Sequence, residues 1–481
     1  MGPILVTGAT GYVGGRLIPR LLEAGYSVRI LARDPARLQG RSWIDQVEVF
    51  QGDVFKPETL LPALEGVSTT YYLIHSMMTG GGFHQRDQQA AEAFAAAAKA
   101  GGVERIIYLG GLGDPDAELS DHLRSRQDTG AALRSSEVPV LEFRAGVIVG
   151  AGSASFEMIR YLTERVPIMI SPRWVFTRTQ PISINNILDY LVATIKLARK
   201  DDLIIEIGGP QVLTYEEMLR GYADIRGLKR TIIPVPVLTP RLSSYWVHWV
   251  TPIPAALAKP LIEGLRNEVI VRDSQARELF PSVILTPYDQ AVEEALANLH
   301  ASSVETAWSD SLSNTLGEKA PVQLTTSDGM MIERRNLDVP ASPENVYRAF
   351  TSLGGERGWL YANWAWRLRG TLDRLIGGVG FRRGRRDKIQ LRVGDALDFW
   401  RVEYLEPQSV LRLRAEMKVP GRAWLQFEAH PLEPTGTRLI QTAYFAPKGL
   451  PGFLYWYGLY PFHARIASGL IKAVSKIACE S

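Results

Sequence analysis

The chain of 481 residues predicts two folded units of different class, a doubly wound parallel α/β sheet followed by a smaller α+β unit. Three observations lead to this. The length exceeds what one ordinary hydrophobic core accommodates. Over the first part, apolar strand-like runs alternate with helix-like segments, the rhythm of βαβ units. Between Asn298 and Gln323 the pattern lapses into Ser, Thr, Asn, Gly and Pro, and beyond it consecutive strands are closed by one helix.

The strand-like runs of the first unit are Ile4–Thr7, Ser27–Ala32, Val47–Gln51, Thr69–His75, Arg105–Gly110, Val140–Val149 as one buried strand, and Leu203–Ile207. Helices run to Ala24 and to Lys99. The expected division is residues 1–300 for this unit, with its substrate-side segment from about 150, a linker over 301–327, and the second unit over 328–481. In the second unit a strand is predicted near Met331–Val339. A helix follows, announced by Ser342-Pro343, an N-cap with proline in the first turn. Strands near Ala396–Leu405, Val410–Val419, Ala423–Pro431 and Thr437–Phe445 read as an antiparallel meander. Ile466, Leu470, Val474 and Ile477 fall on one face of a final helix.

Composition narrows the function classes. With 46% hydrophobic and 22% charged residues the chain is expected to fold. A net charge of +3 gives no reason for nucleic acid or an anionic membrane as main partner. The single cysteine, Cys479, requires no oxidising compartment, and no basic region leads into a removable apolar segment, so the cytoplasm is the expected location. Tyr245–Leu265 is too interrupted by His248, Pro252, Pro254, Lys259 and Pro260 to span a bilayer. Its Trp246 and Trp249 either pack under the main domain, lie against a membrane surface or line an apolar entrance. Seven histidines and one cysteine lack metal-ligand spacing, so no metal is expected.

Gly8-Ala9-Thr10-Gly11-Tyr12-Val13-Gly14 sits between the first strand and the first helix. In that context Gly8 permits a tight turn, Gly11 lets backbone approach a pyrophosphate, and Gly14 lets helix and strand pack closely, with the helix N-terminus facing negative charge. The reading is a nicotinamide dinucleotide site. At the end of the second strand, where an acidic residue would hold the ribose hydroxyls of NAD, stands Arg33, with Arg37 beyond Asp34. A guanidinium there suits a 2′-phosphate, so NADP is expected and NAD less so. After the third strand, Asp53, followed by Val54, either accepts from the adenine amino group or simply holds a turn.

These motifs, with Gly52-Asp53-Val54, Arg105-Ile106-Ile107-Tyr108-Leu109-Gly110-Gly111 and Arg144-Ala145-Gly146, resemble atypical short-chain dehydrogenase/reductases, in particular the NmrA-like and complex-I accessory-subunit branch. The resemblance covers roughly residues 3–300 and implies the Rossmann fold. It further implies that Leu73, Ile74 and His75 pass under the cofactor and that Gly110, Gly111 and Ala145 approach its nicotinamide end. Active members of that superfamily usually carry Tyr-x-x-x-Lys after the fifth strand, yet Asp114 to Val140 contains neither residue type. At the same spacing stand His122 and Arg126, on one helical face. Either His122, beside a cation, is the proton donor, or both are solvated residues on an exposed helix.

From about Asp328 the chain resembles the helix-grip superfamily of START/SRPBCC-like ligand-binding proteins. Trp359, Trp364, Trp366, Trp400, Trp424 and Trp456 either fill its core or line a cavity. Phe381-Arg382-Arg383-Gly384-Arg385-Arg386-Asp387-Lys388 reads as a solvated or salt-bridged loop, with anion capture as the other reading. The expected function is NADP(H)-dependent reduction of a carbonyl or conjugated alkene in a small apolar substrate. The alternatives are a cofactor-binding sensor or assembly factor without chemistry and, more weakly, a nucleotide-sugar epimerase. Peripheral membrane contact stays open.

Overall fold

The computed structural model describes residues 2–38, 41, 43–74, 83–114, 116–199, 201–235, 262–297, 322–327, 329–354, 358–375, 391–432 and 435–480. The chain divides into two compact units, Met1–Leu316 and Gly317–Ser481.

The first unit begins β1 (Ile4–Thr7), α1 (Tyr12–Glu23), β2 (Val28–Ala32), β3 (Glu48–Gln51), α2 (Leu61–Leu64), β4 (Thr69–Tyr72), α3 (Phe83–Ala100), β5 (Arg105–Gly111), α4 (Asp121–Leu133) and β6 (Val140–Ala145). It continues with β7 (Ile148–Val149), α5 (Ala154–Arg165), β8 (Ile168–Pro172), β9 (Arg178–Thr179), β10 (Ile182–Ser183), α6 (Ile184–Thr194), β11 (Leu203–Ile207), β12 (Leu213–Thr214), α7 (Tyr215–Arg226), β13 (Thr231–Val235), α8 (Gln275–Leu279) and α9 (Tyr288–Ala297). Seven strands form one parallel sheet in the order β11-β6-β5-β4-β1-β2-β3. Every residue of β1, β4 and β6 is buried, as a parallel sheet covered on both faces requires. Helix α1 closes one face with Leu17, Ile18 and Leu21, each worth about 1.5–3 kcal/mol when removed from water. The strand order reverses between β1 and β4, and ligands of such sheets lie outside the carboxyl ends of the strands at that point.

The expected single strand Val140–Val149 is two strands. Beyond Ala145 the chain leaves the main sheet, Ile182 donates its amide to the Val147 carbonyl at 2.9 Å, and β7 pairs with β10 in a separate small sheet.

The second unit comprises β14 (Val322–Ser327), β15 (Met330–Val339), α10 (Pro343–Thr351), α11 (Asn363–Leu375), β16 (Ala396–Leu397), β17 (Trp400–Glu406), β18 (Val410–Ala415), β19 (Gly421–Pro431), β20 (Thr437–Pro447) and α12 (Gly449–Glu480). Its strands form one antiparallel sheet, β14-β15-β20-β19-β18-β17-β16. Helix α12 packs against α10, β15 and β20. Ser342 caps α10 by accepting from the Asn345 amide at 3.3 Å, with Pro343 in the first turn. Two sequence expectations change. Part of the expected linker is strand β14, hairpinned onto β15 through Gly329 at φ 83°. The expected strand Ala396–Leu405 folds back on itself at Asp398-Phe399, with Asp398 at φ 55° and Leu397 opposite Trp400.

The tryptophans divide by exposure. Trp359, Trp400, Trp424 and Trp456 are buried, whereas Trp364 is 64% exposed. Trp359 stacks on Phe399 and Phe350 on Phe427, at 6.2 and 5.6 Å between centroids, pairs worth about 0.5–1.5 kcal/mol beyond burial. The Trp359 indole N–H donates to Asp398 Oδ2 at 2.8 Å, which anchors the β16–β17 turn to this core.

His463 of α12 packs against the rings of Tyr455 and Trp456. Burial, and then the positive charge of Arg369, hold its imidazole below the ordinary value. The unfolded chain therefore binds this proton at higher pH than the folded unit, so stability falls as pH drops below about 6.5. Urea unfolding followed by tryptophan fluorescence is expected to show a lower midpoint at pH 5.5 than at pH 7.5. His463→Asn is expected to flatten that slope, and an unchanged slope in the variant would remove His463 as its source.

Candidate functional site

The carboxyl ends of β1 and β4 meet around a backbone turn. Thr7 Oγ1 donates to the Tyr71 carbonyl at 3.0 Å and accepts from the Leu73 amide at 3.2 Å, tying the start of the glycine loop to β4. Gly8 follows at φ 74°, and a Cβ there would lie 2.5 Å from the Leu73 carbonyl oxygen. The Gly11 amide donates back to the Gly8 carbonyl at 2.9 Å, closing the turn. A Cβ on Gly14 would lie 2.3 Å from that same oxygen, so glycine is what lets α1 start this close to the strand. Helix α1 begins after Gly11 without a side-chain cap and without an acidic residue in its first turn. Its first amides have no intrahelical partner and, with the helix dipole, favour an anion.

The other expected contact residues fall round this edge. Ala9 is buried, while Thr10, Tyr12 and Val13 are partly accessible. Arg33 is exposed just past β2, and among the described residues its guanidinium has no ion pair. The Arg37 side chain and His75 lie outside the described residues, as do Trp246, Trp249 and the run Phe381–Lys388. Asp53 Oδ1 accepts from the Phe55 amide at 3.2 Å, and its backbone amide donates to Thr59 Oγ1 at 2.9 Å, so Asp53 does hold a turn. Val54 is buried, and Leu73 and Ile74 are half-buried beyond β4. Gly110 and Gly111 end β5, with Gly111 paired to Ala145 of β6. A Cβ on Gly111 would stand 3.0 Å from Leu123 Cδ2 and 3.2 Å from Arg126 Cδ, which explains how α4 comes so close.

On α4, His122 is half-buried and Arg126 lies one turn on. Arg126 Nη2 donates to the Leu109 carbonyl at 2.6 Å, and its own carbonyl accepts from Tyr108 Oη at 2.9 Å. Arg126 is thus a tether between α4 and β5 rather than a solvated cation. Burial pushes the Tyr108 phenol up to about 12. Its hydrogen bond to backbone and its raised pKa make it a poor substitute for the tyrosine absent from α4.

A feature the sequence reading passed over lies behind these residues. Glu142 of β6, fully buried, accepts from Arg134 and from Arg144 Nε, the latter at 2.7 Å. Its carboxylate fills the space a Cβ on Gly130 would take and stands 3.0 Å from one on Gly110. The signal was present in Leu141-Glu142-Phe143-Arg144, where opposite charges two apart share one face of a buried strand. A cleft of about 620 Å³ between α1, α6 and α8, lined by Arg20, Asp189, Lys196 and Phe280, opens at the far end of α1 and not at the glycine turn. Among the described residues no group of His, Cys, Asp and Glu is placed to hold a metal ion.

Strand order, glycine turn and uncapped helix together define a Rossmann-type nucleotide-binding domain. Residues 8–137 match the family described as NAD(P)H-binding, and residues 328–470 match a family described as Protein of unknown function (DUF2867). Relatives include a ceramide reductase of Caulobacter vibrioides, 28% identical over 242 residues, which are 49% of this chain and 74% of that protein. A (4-alkanoyl-5-oxo-2,5-dihydrofuran-3-yl)methyl phosphate reductase of Streptomyces griseus is 40% identical over 137 residues, 28% of this chain and 44% of that protein. The NADPH-dependent quinone oxidoreductase of Escherichia coli, solved with NADPH, shares the fold with a TM-score of 0.50 and 20% identity, covering 61% of this chain and 99% of that one. The first unit is thus a Rossmann-type domain that matches an NAD(P)H-binding family over residues 8–137, and its relatives include reductases.

Gly8→Val forces a β-branched residue into a left-handed conformation, a strain of about 1–3 kcal/mol, and drives its Cβ into the Leu73 carbonyl. NADPH binding by calorimetry is expected to weaken roughly tenfold or more, with far-UV dichroism unchanged. Wild-type affinity in the variant would show that the turn does not form the site.

Proposed function

We propose that this chain is an NADP(H)-dependent oxidoreductase of the atypical short-chain type that reduces a carbonyl or conjugated alkene of a small apolar substrate. The observation carrying the reading is the uncapped, acid-free start of α1 behind the Gly8 turn, with Arg33 standing at the end of the neighbouring strand. In this reading the first amides of α1 hold the pyrophosphate, and Arg33 takes the 2′-phosphate by charge-assisted hydrogen bonds. Asp53 keeps its turn and offers its remaining carboxylate capacity to the adenine amino group, beside Val54. Leu73 and Ile74 form the floor. Gly110, Gly111 and Ala145 leave room for the nicotinamide ring where β5 and β6 end.

The bound cofactor supplies hydride; the protein supplies orientation, exclusion of water and a proton. His122 is the proposed proton donor, and Arg126, anchored on the Leu109 carbonyl, holds α4 at the distance this needs. The second unit, by its resemblance to helix-grip proteins and its antiparallel sheet with a long helix, is the proposed binder of an apolar ligand. A second reading, a nucleotide-binding sensor or assembly factor, is favoured by one observation: the segment from Asp114 to Val140 has no Tyr or Lys.

Purified protein is expected to oxidise NADPH in the presence of a quinone or an enone. Arg33→Ala should weaken NADPH binding by about 1.5–3 kcal/mol, some ten- to a hundredfold, and leave NADH binding unchanged. His122→Phe should abolish turnover at unaltered NADPH affinity. Tight NADPH binding without oxidation of any such acceptor would select the sensor reading, and equal losses for both nucleotides in Arg33→Ala would remove the 2′-phosphate assignment.

A further inference from the structure

The second unit carries an apolar surface that its own core leaves bare. Trp364, Leu368 and Leu372 lie on α11 at spacings of four and are all at least half exposed. Leu454, Tyr457 and Phe462 are exposed on the first half of α12. The two sets are continuous, since the rings of Trp364 and Phe462 meet edge to face at 6.1 Å. Residues 449–462 contain no charged side chain. Patches of this kind on a folded unit mark a contact surface.

Among the described residues over 363–375, 417–422 and 446–466, the exposed charges are cations. Arg367 and Arg465 are exposed on the two helices, Lys418 and Lys448 on adjoining loops, and Arg422 at the start of β19. Those loops belong to the same face: Arg369 Nη2 donates to the Lys418 carbonyl at 2.9 Å, and the Lys448 amide donates to the Pro420 carbonyl at 2.9 Å. Across residues 363–375, 417–422 and 446–466 the only carboxylate is Asp373, which is fully buried and accepts from the Lys418 amide at 2.6 Å. An isologous contact with a second copy would set these cations against one another. An anionic lipid surface instead receives leucine and aromatic side chains below the headgroups while lysine and arginine remain among the phosphates. Among the described residues no helix is long and apolar enough to cross a membrane.

We infer that the face formed by α11 and the first half of α12 docks the protein on an anionic lipid bilayer. The inference stands apart from the reductase reading, because it rests on residues outside the nucleotide-binding unit.

The test is co-sedimentation of the full chain with vesicles of phosphatidylcholine, alone or mixed with phosphatidylglycerol. Binding is expected to require phosphatidylglycerol and to weaken with added salt. Leu368→Glu with Leu372→Glu should lower the bound fraction about tenfold at unchanged NADPH affinity. Lys418→Gln with Lys448→Gln, which alters no helix, should lower the dependence on phosphatidylglycerol. No binding to either vesicle, or binding indifferent to both variants, would overturn the proposal. So would a dimer in light scattering that the leucine variant dissociates while vesicles bind neither form, since the occupant would then be a second copy.

Discussion

The geometry of the nucleotide edge depends on one backbone contact, the approach of Gly8 to the Leu73 carbonyl where β1 and β4 part company. Thr7 fixes the two strands in register there by bonding to both Tyr71 and Leu73. With the strands so close, the chain can turn only through a positive φ, and the turn then delivers α1 with its amides facing outward. Gly11 closes the turn, and Gly14 allows the helix to lie on it.

The far side of the sheet solves a different problem. Glu142 stands in a fully buried strand, where two arginines pair with it and the absence of side chains at Gly110 and Gly130 makes room for it. Losing one partner of such a cluster costs several kcal/mol, because the charge left behind has no water to turn to. This cluster and the Arg126 tether to Leu109 hold α4 against β5 and β6, and so set where His122 stands relative to Gly110, Gly111 and Ala145.

How much of this was legible in the sequence follows from what each residue does. The glycine loop was readable because its spacing follows backbone geometry directly, and the strand–glycine–helix context set its meaning. The parallel sheet was readable from strand-like runs that alternate with helix-like segments, the rhythm of βαβ units. The hairpin at Asp398-Phe399 was not, since Asp398, a residue that tolerates positive φ, stands inside the apolar run Ala396–Trp400 with no glycine or proline beside it to mark a turn. Helix α12 extends to Gly449, through Gly452, Gly458 and Pro461, residues that normally interrupt helices; Gly452 is needed because a Cβ there would meet the Pro420 carbonyl at 2.5 Å. Arg126 looked like a solvated cation because its partner is a carbonyl on another element, which no local pattern encodes.

The account rests on the first amides of α1 and the glycine turn holding a diphosphate. Hydrogen–deuterium exchange of the full chain, with and without saturating NADPH, reads those amides directly. Slower exchange in peptides covering residues 8–16 on adding NADPH is the outcome that follows from this structure; identical exchange there, with NADPH demonstrably bound, would place the nucleotide elsewhere and contradict it.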